Sequence, residues 1–369
     1  MRSTITILLA IIMQSICVNA QNYIGPAFTH TTTAGNISAH QTTLPNSKTG
    51  TTSGKKFLIC HNYGIPNTST QGIYFAFGST YNIYNEQTTS NMVANDKYNV
   101  VEPLPANGIT FVHTVSAANV TGGYISTIDN IALNNNPNAI FFITKNFDGT
   151  TYDNSNLGIW YNTSSNKWTI YNESSAGSLI TLGLTVTVYV PNTNATILTH
   201  RTTAANVDSY LTEIDNPLIN GNPNAILFIS HEYDNLGTVY LDAPTSVRYD
   251  ASVGKWLIYS DDLSYIMPTN AKFNVLVAGE FPTAINNTNA KENENINTRL
   301  VGNNIQINSI GDAKIASVKC YNLSGAICAS SQFNNTNTAT INCQNLATGL
   351  YLVQTQTSKG VVNTKILIP

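Results

Sequence analysis

LTHRTTAAN (residues 198–206) has two further versions in the chain, FTHTTTAGN (28–36) and FVHTVSAAN (111–119). Three of the six histidines, His30, His113 and His200, stand in this one stretch at near-equal intervals. Every later landmark keeps the interval. FLICHNY (57–63) answers to FFITKNF (141–147) and LFISHEY (227–233), and GIYF (72–75) to GIWY (158–161) and SVRY (246–249). YNIYNE (81–86) answers to WTIYNE (168–173) and WLIYSD (256–261), and KYNVV (97–101) to LTVTV (184–188) and KFNVL (272–276). Five landmarks in fixed order define an internal repeat of a supersecondary unit. The copies span 21–104, 105–192 and 193–280, and the first is the most divergent. NPNAI occurs at 136–140 and 222–226, where copy one has SGKK.

Each landmark is four to seven residues long and rich in Val, Ile, Thr and aromatics, which predicts strands. In the fourth, Tyr81, Trp168 and Trp256 share a position with Ile83, Ile170 and Ile258 two residues on, on one face. Asn82, Thr169 and Leu257 alternate with them and predict a wetter second face. At the joins, 99–114 and 186–200 read as strand, turn and strand. This predicts an antiparallel hairpin between the last strand of one copy and the first of the next. The fold class expected is all-β: three tandem five-stranded modules and a further small β-domain. Separate sandwiches and one closed assembly both remain open.

Only 10% of the residues are charged and 42% are hydrophobic, with 19 Tyr, 12 Phe and 3 Trp. A disordered chain has the opposite composition. A net charge of −3 supplies no basic footprint for nucleic acid. Arg2, the apolar stretch 5–13 and VNA at 18–20 predict a cleaved signal peptide over 1–20. Ile16 before Cys17 is too large for lipoprotein processing. No other apolar run approaches the roughly 20 residues of a membrane span. Residues 281–297 are Asn-rich and polar and read as a linker.

From Thr298 a new β pattern begins, with VKCYNLSG (318–325), NLATGLYLVQ (345–354), Gly360 and a terminal TKILIP (364–369) that includes Lys365. Together these resemble the C-terminal sorting domain (type A) of the type nine secretion system of Bacteroidetes, over 298–369. The resemblance implies a seven-stranded immunoglobulin-like sandwich, handling by the type nine secretion machinery through 298–369, and a secreted or outer-membrane surface location reached through the periplasm. The combination of THxTxAxN, NPNAI(L/F)F, GxWY, KWxIY and FNVLV over 22–280 resembles an uncharacterised tandem module of secreted bacterial proteins. That family implies export and tandem use, and no activity.

For His30, His113 and His200 one reading is structural, each imidazole bonding across a turn in which Asn36, Asn119 and Asn206 form Asx-type turns. The other gathers the three imidazoles as a zinc site, which spacing alone does not support. A second basic position, His61, Lys145 and His231, varies in a way a metal ligand does not tolerate, because ammonium has no lone pair. The acid after strand four, Glu86, Glu173 and Asp261, is present in all copies, and the two positions are the candidate binding residues. Neither supplies the carboxylate pair of a glycosidase. No cofactor or metal is expected. The oxygen-rich loop 146–156 is the one candidate for Ca²⁺. Tyr84, Tyr171 and Tyr259 offer a sugar-stacking face or simply a second sheet face. Cys320, Cys328 and Cys343 fall where core residues are expected. They read as small buried hydrophobes, or as containing one disulfide, Cys320–Cys343. Cys60 has no partner in its module. The expected function is a non-enzymatic surface protein that binds glycan or another cell-surface component or serves adhesion. The alternative is a secreted hydrolase with a site between modules.

Overall fold

The structure, a computed structural model of the chain, describes residues 24–278 apart from 148, 175–177, 194, 235 and 238. It also describes 296–368 apart from 302, 310, 322–326, 345, 347 and 348. The expected signal peptide and most of the expected linker lie outside the described residues. The chain divides into two units at 282/283.

In the first module the landmarks become β1 (Ala27–Thr31), β4 (Leu58–His61), β5 (Gln71–Ala76), β6 (Thr80–Asn85) and β7 (Lys97–Val101), with two short strands inserted, β2 (Ile37–Ser38) and β3 (Gln41–Thr43). The second module repeats this as β8 (Gly108–Thr114), β9 (Val120–Thr121), β10 (Ile125–Thr127), β11 (Phe142–Asn146), β12 (Leu157–Asn162), β13 (Lys167–Asn172) and β14 (Thr185–Pro191). The third gives β15 (Thr196–Arg201), β16 (Val207–Asp208), β17 (Leu211–Ile214), β18 (Ile226–Tyr233), β19 (Thr245–Asp250), β20 (Lys255–Ser260) and β21 (Lys272–Ala278).

Each module folds into two layers. Its first, last and second-landmark strands form one layer, in the orders β1-β7-β4, β8-β14-β11 and β15-β21-β18. The other four strands form the second layer, β2-β3-β6-β5 and its equivalents. The hairpin expected at the joins therefore does not form: β8 pairs with β14 from Gly108↔Pro191 to Thr114↔Thr185, and β15 with β21. An alternating pattern decides which face of a strand is buried, not which strand lies beside it.

The layers do not stop at module boundaries. β5 of module one pairs in parallel with β11 of module two at Asn146↔Ile73, and β12 of module two pairs with β18 of module three at Glu232↔Ile159. The third seam joins module three back to module one through the parallel bridge Asn62↔Val247, with Tyr63 N–H donating to Val247 O at 2.8 Å. Ile73, Ile159 and Val247 are equivalent positions, so one head-to-tail contact is used three times and closes into a ring. Strands β4, β11 and β18 touch one another at its centre. Leu58, Phe142 and Phe228 fill that centre with Val101, Tyr189 and Leu276, and all six are buried in one cluster.

Closure buries more than alternation predicts. Tyr81, Trp168, Trp256, Ile83, Ile170 and Ile258 are core, as their shared face implies. The second face is not wet: Thr169 is fully buried, and Asn82 and Leu257 are buried too. The register places Tyr74, Trp160 and Arg248 beside Asn82, Thr169 and Leu257, one large side chain next to each.

The described residues of the second unit form seven strands in two sheets: β22 (Ile296–Val301), β23 (Asn304–Ser309), β24 (Ile315–Tyr321), β25 (Ile327–Thr336), β26 (Thr338–Asn342), β27 (Gly349–Thr357) and β28 (Gly360–Ile368). Their orders are β22-β23-β26 and β25-β24-β27-β28. Ile305, Ile307, Val318, Ile341, Val353 and Ile366 pack between the sheets, the sandwich that the sorting resemblance implies. Cys320 and Cys343 belong to this core, but Cys328 is exposed, because it lies on the outward side of β25. Cys60, Cys320 and Cys343 are free thiols.

Candidate functional site

His30, His113 and His200 lie on edge strands of three different layers, and each works inside its own module. Nε2 of each donates at 2.8 Å to a hydroxyl of the facing layer: Thr42, Ser126 and Thr212. Those hydroxyls donate in turn to Asn36, Asn119 and Asn206. The Asn Oδ1 also accepts the N–H three residues before it, and Nδ2 donates to the carbonyl five before. The asparagine thus clamps the turn backward, not forward as an Asx turn does. Burial lowers all three histidine pKa values to about 4, so the rings are neutral. Thr212→Val strands a buried Nε2–H and is expected to destabilise the ring by about 1–3 kcal/mol, read as a urea midpoint. Thr212→Ser is expected to be near neutral, since Ser126 already serves in module two.

The other two repeated positions meet at the seams. The basic residue of each module faces the acid of the module before it. His61 Nδ1 bonds Asp261 at 2.6 Å, across 200 residues of sequence, while its Nε2 donates to both oxygens of Asp96 at 2.9 Å. His231 Nδ1 bonds Glu173, which also accepts from the Tyr171 hydroxyl and from Leu241 N–H. Lys145 bonds Thr70 and the carbonyls of Asp153 and Ser155, and lies 3.7 Å from the Asp153 carboxylate. Glu86 accepts Asp153 N–H and the Tyr84 hydroxyl, and attracts the Lys145 charge. All six side chains are buried.

Burial would pull the His61 pKa down, but the charges and hydrogen bonds of Asp261 and Asp96 overturn it and hold it at about 10. Burial raises Asp261, aided by the Asp96 charge and opposed by His61. Burial lowers Lys145 and raises Glu86, each against the pull of the other. Asp96 has no counterpart in module three, where Ala271 takes its place. That accounts for the buried, unpartnered Nε2 of His231.

The acids are matched to their neighbours. Where the acid is Glu, the strand opposite carries Gly72 or Gly158. A Cβ at Gly72 collides with the Tyr84 hydroxyl, and one at Gly158 with Glu173 Oε1 and the Tyr171 hydroxyl. Where the acid is the shorter Asp261, the position is Ser246, whose hydroxyl donates to it at 2.7 Å. Gly158→Ala is expected to cost about 1–3 kcal/mol by overpacking. Adding Glu173→Asp is expected to return part of that loss, measured as urea midpoints of the two variants.

Aromatic rings cover each seam. Tyr63 stacks on Tyr259 at 4.6 Å, with Tyr210 beside it and the Arg248 guanidinium over both rings of the stack. At the equivalent places, Tyr84 meets Phe147 and Tyr152, and Tyr171 meets Tyr233 and Tyr240. Tyr84, Tyr171 and Tyr259 are buried, but Tyr63, Phe147, Tyr233 and Tyr240 are half-buried and Tyr152 is exposed. In the oxygen-rich loop 146–156, Asp153 turns inward to Ser155, Thr181 and Lys145. Among the described residues no three His, Cys, Asp or Glu side chains gather to hold a metal ion. Burial pushes the Cys60 thiol up to about 12, so it is no nucleophile.

Fold and seams together define an all-β ring of three repeated modules joined in sequence to a β-sandwich. Residues 72–184 and 158–277 match the family described as Domain of unknown function (DUF7452). The two matches overlap and together take in more than half of the chain, which belongs to that family. Each matched window holds both partners of one seam, Glu86 with Lys145 or Glu173 with His231. Residues 301–369 match the family described as Secretion system C-terminal sorting domain. The chain is a type nine secretion protein, secreted or held at the cell surface. Among the described residues no helix is long and apolar enough to cross a membrane. A search of curated proteins found no match.

Proposed function

We propose that the ring is a binding protein that meets saccharide on a surface through the three aromatic seams. The observation that carries this reading is the threefold recurrence of half-buried tyrosine and phenylalanine at equivalent places. An aromatic ring with one face open and its edge held offers an apolar platform beside polar groups. Three such platforms on one rigid ring multiply a weak single contact by avidity. Binding is favoured over hydrolysis because Glu86, Glu173 and Asp261 are each buried and already hydrogen-bonded at their seams. The test is a glycan array with the full chain, then Tyr63→Ala, Tyr152→Ala and Tyr240→Ala singly and together. Each single variant is expected to weaken retention several-fold and the triple variant to abolish it. Polysaccharide turnover lost in Glu173→Gln with the fold intact would replace binding by hydrolysis. An array without retention would leave adhesion or a purely structural role.

A further inference from the structure

Where β4, β11 and β18 meet, the ring has a solvent-open cavity of about 150 Å³. That is the space of about five waters at ~30 Å³ each. Ile59, Ile143 and Ile229, one from each module, contribute its apolar wall, and Thr144, Ser230, Asn156 and Thr245 contribute polar groups. Lys145, Glu173 and His231 of two seams also line it.

Its walls follow the threefold rule and break it once. Ile59 N–H donates to the Thr144 hydroxyl of the next module at 3.1 Å, and Ile229 N–H donates to the Cys60 sulfur. Ser230 is the third member of the Cys60, Thr144, Ser230 set. Its Oγ is buried and has no hydrogen-bond partner. A buried orphan hydroxyl is costly unless something in the cavity engages it.

Of the titratable groups at the rim, Lys145 and Glu173 are already spent, while His231 keeps an unpartnered Nε2. The Lys145 ammonium is taken by Thr70, two carbonyls and Asp153. Both oxygens of Glu173 are taken by Tyr171, His231 and Leu241 N–H. An ion entering would lose its hydration without gaining a free counter-charge. What remains is the Ser230 hydroxyl, the His231 Nε2 and the side-chain amides of Gln71 and Asn156 over an apolar wall. We infer that the axial cavity is a binding site for a small uncharged polyhydroxyl group, either a free polyol or the end of a sugar chain, with Ser230 as its anchoring hydrogen-bond partner.

The test is methyl NMR of the full chain with labelled isoleucine, titrated with glycerol, myo-inositol, glucose and cellotetraose, and with acetate and phosphate as charged controls. The Ile59, Ile143 and Ile229 methyls are expected to shift with at least one neutral probe and with neither ion. Shifts with glycerol or inositol assign the site to free polyols, and shifts with cellotetraose alone assign it to chain ends. Ser230→Ala is expected to weaken that binding at least tenfold. Because its lost hydroxyl has no partner, the melting temperature should be unchanged or raised. Tyr152→Ala is expected to leave this binding unaltered, which separates it from the seam platforms. Silent isoleucine methyls with every neutral probe, equal response to the ions, or undiminished binding in Ser230→Ala each overturns the inference.

Discussion

His61→Ala is expected to lower the stability of the ring by about 3–5 kcal/mol, the range for removing one partner of a buried ion pair. The imidazolium lies between Asp96 and Asp261, so its loss leaves two buried carboxylates facing each other. For a unit of this size the loss amounts to a fall of roughly 10 °C in melting temperature. Trp160, Trp168 and Trp256 are the three tryptophans of the chain and all lie in the ring, so tryptophan fluorescence reports this unit alone. The same group sets a pH dependence. Its pKa rises on folding from 6.5 to about 10, so its contribution is complete below about pH 6.5 and is lost as pH rises toward 10. His61→Gln is expected to flatten that alkaline loss. On the acid side His30, His113 and His200 act in the opposite sense. Their pKa values fall on folding to about 4, so their contribution is complete above about pH 6.5 and is lost as pH drops toward 4.

Trp256→Ala is expected to cost about 3–5 kcal/mol, the range for emptying a large core site. The ring of Trp256 is buried against Tyr249, and its Nε1–H donates to Asn222 O at 2.9 Å. Trp168 makes the same bond to Asn136 O. Both acceptors open the NPNAI segment, which explains why copy one lacks it. There the position is Tyr81, whose hydroxyl donates to Thr52 O and accepts Lys55 N–H. Trp256→Phe keeps most of the packing and removes the bond, so about 1–2 kcal/mol is expected. A fluorescence-detected urea titration loses one of its three probes here, so far-UV circular dichroism is the readout common to wild type and variant. Equal midpoints for wild type and Trp256→Ala would refute the core assignment.

The repeat was legible because a core imposes the same side chain at the same strand position in each copy, as with Tyr81, Trp168 and Trp256. The sorting domain was legible for a similar reason, through ordered elements over 298–369. Strand partners were not legible. The pattern of β8 suits a hairpin with β7 as well as the pairing with β14 that forms. The ring was hidden because its contacts join different copies, while aligning the copies compares like with like. A signal was nevertheless present. His61, Lys145 and His231 are basic residue types, and Glu86, Glu173 and Asp261 acidic ones, once per module. Gly72, Gly158 and Ser246 vary in step with the length of the acid. Complementary patches on one repeated unit are what a head-to-tail ring requires.

The central claim is that module three closes onto module one. A double-mutant cycle on His61 and Asp261 tests it most directly, with His61→Ala, Asp261→Ala and the double variant followed by tryptophan fluorescence in urea. A closed ring predicts a coupling of about 1–3 kcal/mol between residues 200 positions apart in sequence. Losses that add to within about 0.5 kcal/mol would contradict it and return the modules to separate sandwiches.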